Sequence, residues 1–250
     1  MDETTDLLRL CIRAFALQIA DAPGAELTMT RDGILALTSE PDADYNRITL
    51  APGPDAEAFL VRAVARAREW GHPLVATMAP ETAEALGPVL TRLGLTHVGG
   101  APLMVLHPTA PLQAPRALRF TRALGPGLVR IAGDLAAAAF GSPRDQIARM
   151  IDSTVTETAG FETWLAFDGD TPVSAVTVTR TGDAAGISLM STPPELQRRG
   201  YGQSVLTQAI NAYRAGGVTR FHLGATDAGK PLYDKVGFRT VTVLSAWLLN

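Results

Sequence analysis

Gln197-Arg198-Arg199-Gly200-Tyr201-Gly202 stands between a strand-like run and a helix-like run, and this junction constrains the fold more than any other stretch of the chain. Before it, Gly186-Ile187-Ser188-Leu189-Met190-Ser191-Thr192 alternates small and apolar residues with period two. After it, Val205, Leu206, Ile210 and Tyr213 share one face at helical spacing. The two glycines allow a tight turn and keep side chains back from whatever docks there. N–H groups of the first helical turn would point outward with the helix dipole behind them, which suits an anion. Arg198 and Arg199 add fixed positive charge at the same place. The junction therefore predicts a pyrophosphate grip. Rival phosphate loops fit less well: Gly-x-x-x-x-Gly-Lys-Ser/Thr is absent, and a dinucleotide fingerprint needs glycine where Val205 stands.

A chain of 250 residues with 46% hydrophobic and 19% charged content has material for one large core or two smaller ones. The formal net charge of −3 gives no global basic field, so nucleic acid is not an expected partner. The two loop arginines are a local feature on a mildly acidic background. Cys11, the single cysteine, can form neither an internal disulfide nor a cysteine metal site. Its neighbours Leu7, Leu8, Leu10, Ile12 and Phe15 predict core packing. His72, His97, His107 and His222 lack metal-ligand spacing, so no metal is expected. No Gly-x-Ser-x-Gly elbow supports a serine hydrolase. The opening residues Met1 to Asp6 are acidic where a signal peptide is basic, and no apolar run approaches the roughly 20 residues of a membrane helix. The expectation is a soluble, cytoplasmic protein without a membrane partner.

Pro108, Pro111 and Pro115 punctuate a stretch of little periodicity, which marks residues 108–116 as a linker between domains at 1–107 and 117–250. Similar element orders are legible on either side. Leu93-Gly94-Leu95 aligns with Val236-Gly237-Phe238, and Ile48-Thr49-Leu50 with Ile187-Ser188-Leu189. Under the first pairing Phe59 takes the place of Gly202, where a ring would fill the space a pyrophosphate needs. The first half thus reads as a repeat without the loop. In the second half, helices are expected near Gly127 to Phe140 and Pro143 to Thr156, and a hairpin turn at Asp168-Gly169.

Gln197-x-x-Gly200-x-Gly202 after a strand, followed by Leu232-Tyr233-Asp234-Lys235-Val236-Gly237-Phe238, resembles the GNAT superfamily of acyl-CoA-dependent N-acyltransferases. The first string is similar to that family's pyrophosphate loop and the second to its late tyrosine-bearing helix. The resemblance covers residues 118–249, and the first half matches in element order. It implies an α/β fold with a mixed sheet, built as two tandem GNAT-type domains of which the N-terminal one is degenerate. It implies acetyl-CoA as co-substrate, no metal, and transfer of acetyl to a primary amine by direct attack. The amides around Gln197, Arg198, Arg199, Gly200, Tyr201 and Gly202 would bind the pyrophosphate. Met190, Ser191 and Thr192 would line the pantetheine arm and aim an amide at the thioester oxygen, where charge develops in the tetrahedral intermediate.

Tyr233 takes the place of the tyrosine that protonates the departing thiolate. Glu162, Asp183, Glu195 and His222 are candidates for the base, with Glu162 placed first on a strand expected to face the cleft. Thr226 stands where the family often has asparagine. Pro231 is tolerable only in a first helical turn, so the late helix is expected to start near Gly229. The acceptor would be a small-molecule amine or a peptide; a protein N-terminus or lysine, or a CoA-binding module without turnover, are the alternatives. Monomer and homodimer are both compatible with the sequence.

Overall fold

The computed structural model describes residues 2–20, 22, 24–147 and 161–250. Two compact units are present: Met1–Met104 with Gly224–Ala228 and Thr240–Asn250, and Val105–Leu223 with Gly229–Arg239. Each unit mixes helices with both parallel and antiparallel strands.

The first unit begins with α1 (Glu3–Ile19), capped by the Asp2 carboxylate, which accepts the Thr5 amide at 2.8 Å. Then come β1 (Glu26–Met29), β2 (Gly33–Leu37), β3 (Arg47–Leu50), α2 (Ala56–Trp70), β4 (Leu74–Met78), α3 (Pro80–Arg92) and β5 (Thr96–Leu106). β1, β2 and β3 form an antiparallel meander, and α2 carries the chain over to β4, which is parallel to β3. Leu60, Val64 and Ala67 of α2 pack on Ile48, Leu50, Leu74 and Met78 of these strands. Cys11 lies on α1 as expected, and burial pushes its thiol up to about 12, which leaves little thiolate at neutral pH.

The last strand, β11 (Arg239–Leu249), runs antiparallel to β4, with Ser245 opposite Met78 and Leu249 opposite Leu74. The first unit's sheet order is therefore β1-β2-β3-β4-β11-β5. This corrects the linear division at residue 117. The end of the second half completes the sheet of the first, because the backbone ladder of β11 and its buried Leu249 belong to that core. Leu249→Ala should lower unfolding stability by roughly 3 kcal/mol, as expected for a large-to-small core change. Val243→Ala, at a side chain 51% exposed, should change it by less than about 0.5 kcal/mol. Equal costs in denaturant unfolding would refute that role for the C-terminal strand.

The second unit contains β6 (Arg119–Arg122), α4 (Pro126–Phe140), β7 (Phe161–Asp168), β8 (Thr171–Thr181), β9 (Ala184–Ser191), α5 (Tyr201–Ala215), β10 (Arg220–Gly224) and α6 (Lys230–Val236). Its order is β10-β9-β8-β7-β6, with only β9 and β10 parallel, joined across α5. Residues 144–147 are helical, and residues 148–156 of the expected Pro143–Thr156 helix lie outside the described residues. α6 begins at Lys230 with Gly229 as its N-cap and Pro231 in its first turn, as expected.

Residues 108–116 are not a free tether. Leu112 N donates to Asn211 Oδ1 and Asn211 Nδ2 to Leu112 O, both at 2.8 Å. Arg214 Nη2 donates to Thr109 O at 3.2 Å. The proline-rich segment is thus strapped along α5. Proline removes backbone donors and stiffens the chain, but it leaves the carbonyls available for such ties.

The equivalence of Phe59 and Gly202 also needs correction. Gly202 is the second residue of its helix, whereas Phe59 is the fourth of α2. The Phe59 ring turns inward onto Gly33, where an added Cβ would come within 2.8 Å of it. It does not stand over the helix start. What distinguishes the first unit at this place is charge: Asp55 and Glu57 flank the start of α2, where the second unit has Arg198 and Arg199.

Candidate active site

β9 and β10 pair only at Arg220–Ala184, Phe221–Ala185 and His222–Gly186. Past that last rung β9 runs on to Ser191 without a rung to β10. On the other side of β9 the ladder to β8 is also interrupted. Thr177 faces Ser188 and Ala175 faces Ser191, so Leu189 and Met190 together oppose a single residue. Leu189 has φ 46, and its carbonyl is taken by Ser191 Oγ at 2.8 Å. The result is a β-bulge that lifts backbone groups out of the ladder just past the last β9–β10 rung. Nothing in the sequence marks it, since leucine carries no preference for positive φ.

Beyond the bulge, Thr192 is fixed on both sides. Its hydroxyl shares a 2.8 Å hydrogen bond with Ser174 Oγ, and its carbonyl accepts from Gln197 Nε2 at 3.1 Å. A short 3-10 turn, Pro194–Leu196, leads into the loop. Arg198 has φ 60 and Gly200 φ 83; the left-handed conformation costs a non-glycine residue about 1 kcal/mol. α5 then starts at Tyr201 without a side-chain cap, so its first amides have no intrahelical acceptors. Ser204 N is bonded to Gly200 O at 3.0 Å. A Cβ added at Gly202 would lie 3.0 Å from Thr192 Oγ1 and 3.4 Å from Met190 Cε. Here glycine lets the helix start close against the end of β9. Arg198 and Arg199 are exposed at this end. The loop residues chosen from sequence are therefore brought together, with Met190 and Thr192 packed beside them.

α6 lies next to this loop, since Leu232 Cδ2 is 3.6 Å from the same added Cβ. Its Tyr233 is 8% exposed and meets Phe238 edge-on, with ring centroids 5.9 Å apart. Burial pushes the Tyr233 phenol up to about 12, so it stays protonated throughout the neutral range.

Glu162 lies on β7 as expected, but on the face of the sheet that α5 covers rather than one left open. Its Oε2 accepts from the Tyr213 hydroxyl at 2.8 Å and its Oε1 from Arg122 Nη1 at 2.7 Å. Tyr213 belongs to α5, so Glu162 is on the α5 face of the sheet. Burial, followed by the bond to Glu162, holds the Tyr213 hydroxyl well above the usual phenol range. Strand alternation turns the opposite set to the other face. The cross-strand row Thr163–Thr177–Ser188 and its neighbour Phe161–Thr179–Gly186–His222 lie there together. His222 is 2% exposed and sits at the last β9–β10 rung. Asp183 is exposed at the opposite end of β9, and Glu195 is exposed in the turn before the loop. Among the described residues, no group of three or more His, Cys, Asp or Glu could hold a metal ion.

The second unit thus sets a bulged strand and an uncapped helix behind a glycine loop side by side. Residues 135–245 match the family model described as the acetyltransferase (GNAT) domain, and the chain is a GNAT-fold protein. A GCN5-related N-acetyltransferase from Kribbella flavida superposes with a TM-score of 0.73 at 17% identity, over 99% of this chain and 95% of that one. A tandem GNAT protein from the clavulanic acid biosynthesis pathway gives 0.59 at 14% identity, over 99% and 95%. A protein of unknown function from Staphylococcus epidermidis gives 0.66 at 18%, over 91% and 94%. Likeness at these identities establishes the shared fold. No curated protein sequence matches the chain.

Proposed function

We propose that the chain transfers an acetyl group from acetyl-CoA to a primary amine by direct attack of the amine on the thioester. The observation that carries this is the uncapped start of α5 at Gly200-Tyr201-Gly202, behind a strand bulged at Leu189 past its last rung to β10. The loop amides would take the pyrophosphate and the β9 bulge would run along the pantetheine. A freed amide near Leu189 or Met190 would stabilise the oxyanion as it forms. Tyr233 would protonate the departing CoA thiolate. In the first unit the order β3–α2–β4 repeats that of β9–α5–β10, which supports a degenerate second copy of the fold. Among the described residues no helix is long and apolar enough to cross a membrane; a cytoplasmic location belongs to this proposal.

An attacking ammonium must first lose a proton, and His222 at the last β9–β10 rung is better situated for this than Glu162. Thiol release from acetyl-CoA against a panel of small amines and basic peptides tests the proposal, and CoA release with any of them supports it. Tight acetyl-CoA binding with no turnover would favour the non-catalytic module instead. In that assay Glu162→Gln should keep kcat within about threefold, while His222→Gln should lose about 100-fold. The reverse order would restore Glu162 as the base.

A further inference from the structure

Arg116, at the end of the strap along α5, makes four contacts in and around the anion loop. Its backbone N donates to Ser204 Oγ at 3.1 Å, in the first turn of α5. Its Nη1 donates to the carbonyl of Arg199 at 3.1 Å. Its guanidinium lies over the Tyr201 ring, 4.7 Å from the centroid. Its Nη2 is 3.5 Å from Asp168 Oδ2, which also accepts from the Tyr201 hydroxyl at 2.7 Å. Three distant stretches of chain converge here: the end of the strap, the end of β7, and the loop with the helix it opens.

Arg199 lies between the two residues with positive φ, Arg198 and Gly200. A loop of this kind holds its shape only where its surroundings over-determine it. The Arg199 carbonyl and the Gly200 N–H belong to one planar trans peptide, so they point in opposite directions. A donor that fixes the carbonyl on one side thereby aims the amide to the other. Arg116 is that donor, and its fork can hold the carbonyl and approach the Asp168 carboxylate while stacking on the tyrosine, which a lysine cannot do. Pro115 presses from the same side, its Cγ 3.4 Å from the Cβ position of Gly200.

We propose that Arg116 is a positioning residue of the anion loop, holding the Arg199–Gly200 peptide so that the Gly200 amide faces the bound phosphate. The segment between the halves is then part of the cofactor site and more than a connection. This assignment rests on acyl-CoA being the ligand, so acetyl-CoA binding to the unaltered chain is measured first by calorimetry. Absence of binding there would count against the acyl-CoA reading itself. Given binding, Arg116→Ala should weaken acetyl-CoA about tenfold and raise its KM in step, with kcat held within twofold. Arg116→Lys, which keeps the charge and loses the fork, should bind as weakly as the alanine variant. A Kd for Arg116→Ala within twofold of the unaltered chain would overturn the assignment, whatever its melting temperature. Full restoration by lysine would also overturn it, because long-range charge would then suffice.

Discussion

Gly202→Val should weaken acetyl-CoA binding by about 100-fold or more while leaving the second unit folded. The cause is steric and sits behind the anion rather than in front of it. An added Cβ at this position comes within 3.0 Å of Thr192 Oγ1 and 3.4 Å of Met190 Cε. Met190 can swing aside, but Thr192 is held through its hydroxyl by Ser174 and through its carbonyl by Gln197. The branched side chain must therefore push the start of α5 away from β9. The helix itself survives, because it is anchored by Val205, Leu206, Ala209 and Ile210, all fully buried. Its first amides would then move off the pyrophosphate of the proposed ligand. A hydrogen bond to a charged group contributes about 1.5–3 kcal/mol, so losing two costs at least a hundredfold in Kd. Calorimetric titration with acetyl-CoA reads the effect, and far-UV circular dichroism checks the fold. A folded valine variant that binds within threefold of the unaltered chain would remove Gly202 from the site. Gly133→Ala, with open space around the added Cβ, should bind normally.

The parts of this site that were legible in the sequence are those governed by local backbone rules. Gly200 and Gly202 announce a turn and a close approach, and Pro231 fixes the start of α6 to within a residue. The apolar spacing of Val205, Leu206 and Ile210 gives α5 its buried face. What escaped depends on non-local pairing. The alternation of β11 says that a strand is there, but not that its neighbour is β4 rather than a strand of its own half. Glu162 was placed on the right strand and the wrong face, since side chains switch faces at every residue and a strand's orientation is set by what covers it. The bulge at Leu189 shows only in the register between β8 and β9, where two residues oppose one. Arg116 sat in a proline-rich stretch whose composition suggests a tether, and only the ties to Asn211, Arg214 and Ser204 make it part of the site.

Tyr233→Phe should lower kcat about 100-fold with the KM for acetyl-CoA unchanged, the low end of what positioned proton transfer contributes. The substitution is conservative because the ring stays, and with it the edge-on contact with Phe238. What disappears is one proton donor. Burial holds that phenol up at about 12, against 10.0 for an exposed tyrosine. It therefore remains a donor at every pH used to test for turnover, and no alkaline limb below about pH 11 should be owed to it. The same shift has a consequence that needs no activity. The folded state keeps the proton more tightly than the unfolded chain does. The associated stability is therefore complete below pH 10 and is lost as pH rises from 10 through 12. A shift of about two units at 1.36 kcal/mol each amounts to nearly 3 kcal/mol across that window. Denaturant unfolding at pH 9 and pH 11.5 should show a steeper loss for the unaltered chain than for Tyr233→Phe. If the slopes differ as expected but kcat does not fall, Tyr233 is a buried core aromatic and the thiolate takes its proton from water. If both effects appear, burial keeps the phenol protonated at the pH where the departing thiolate needs its proton.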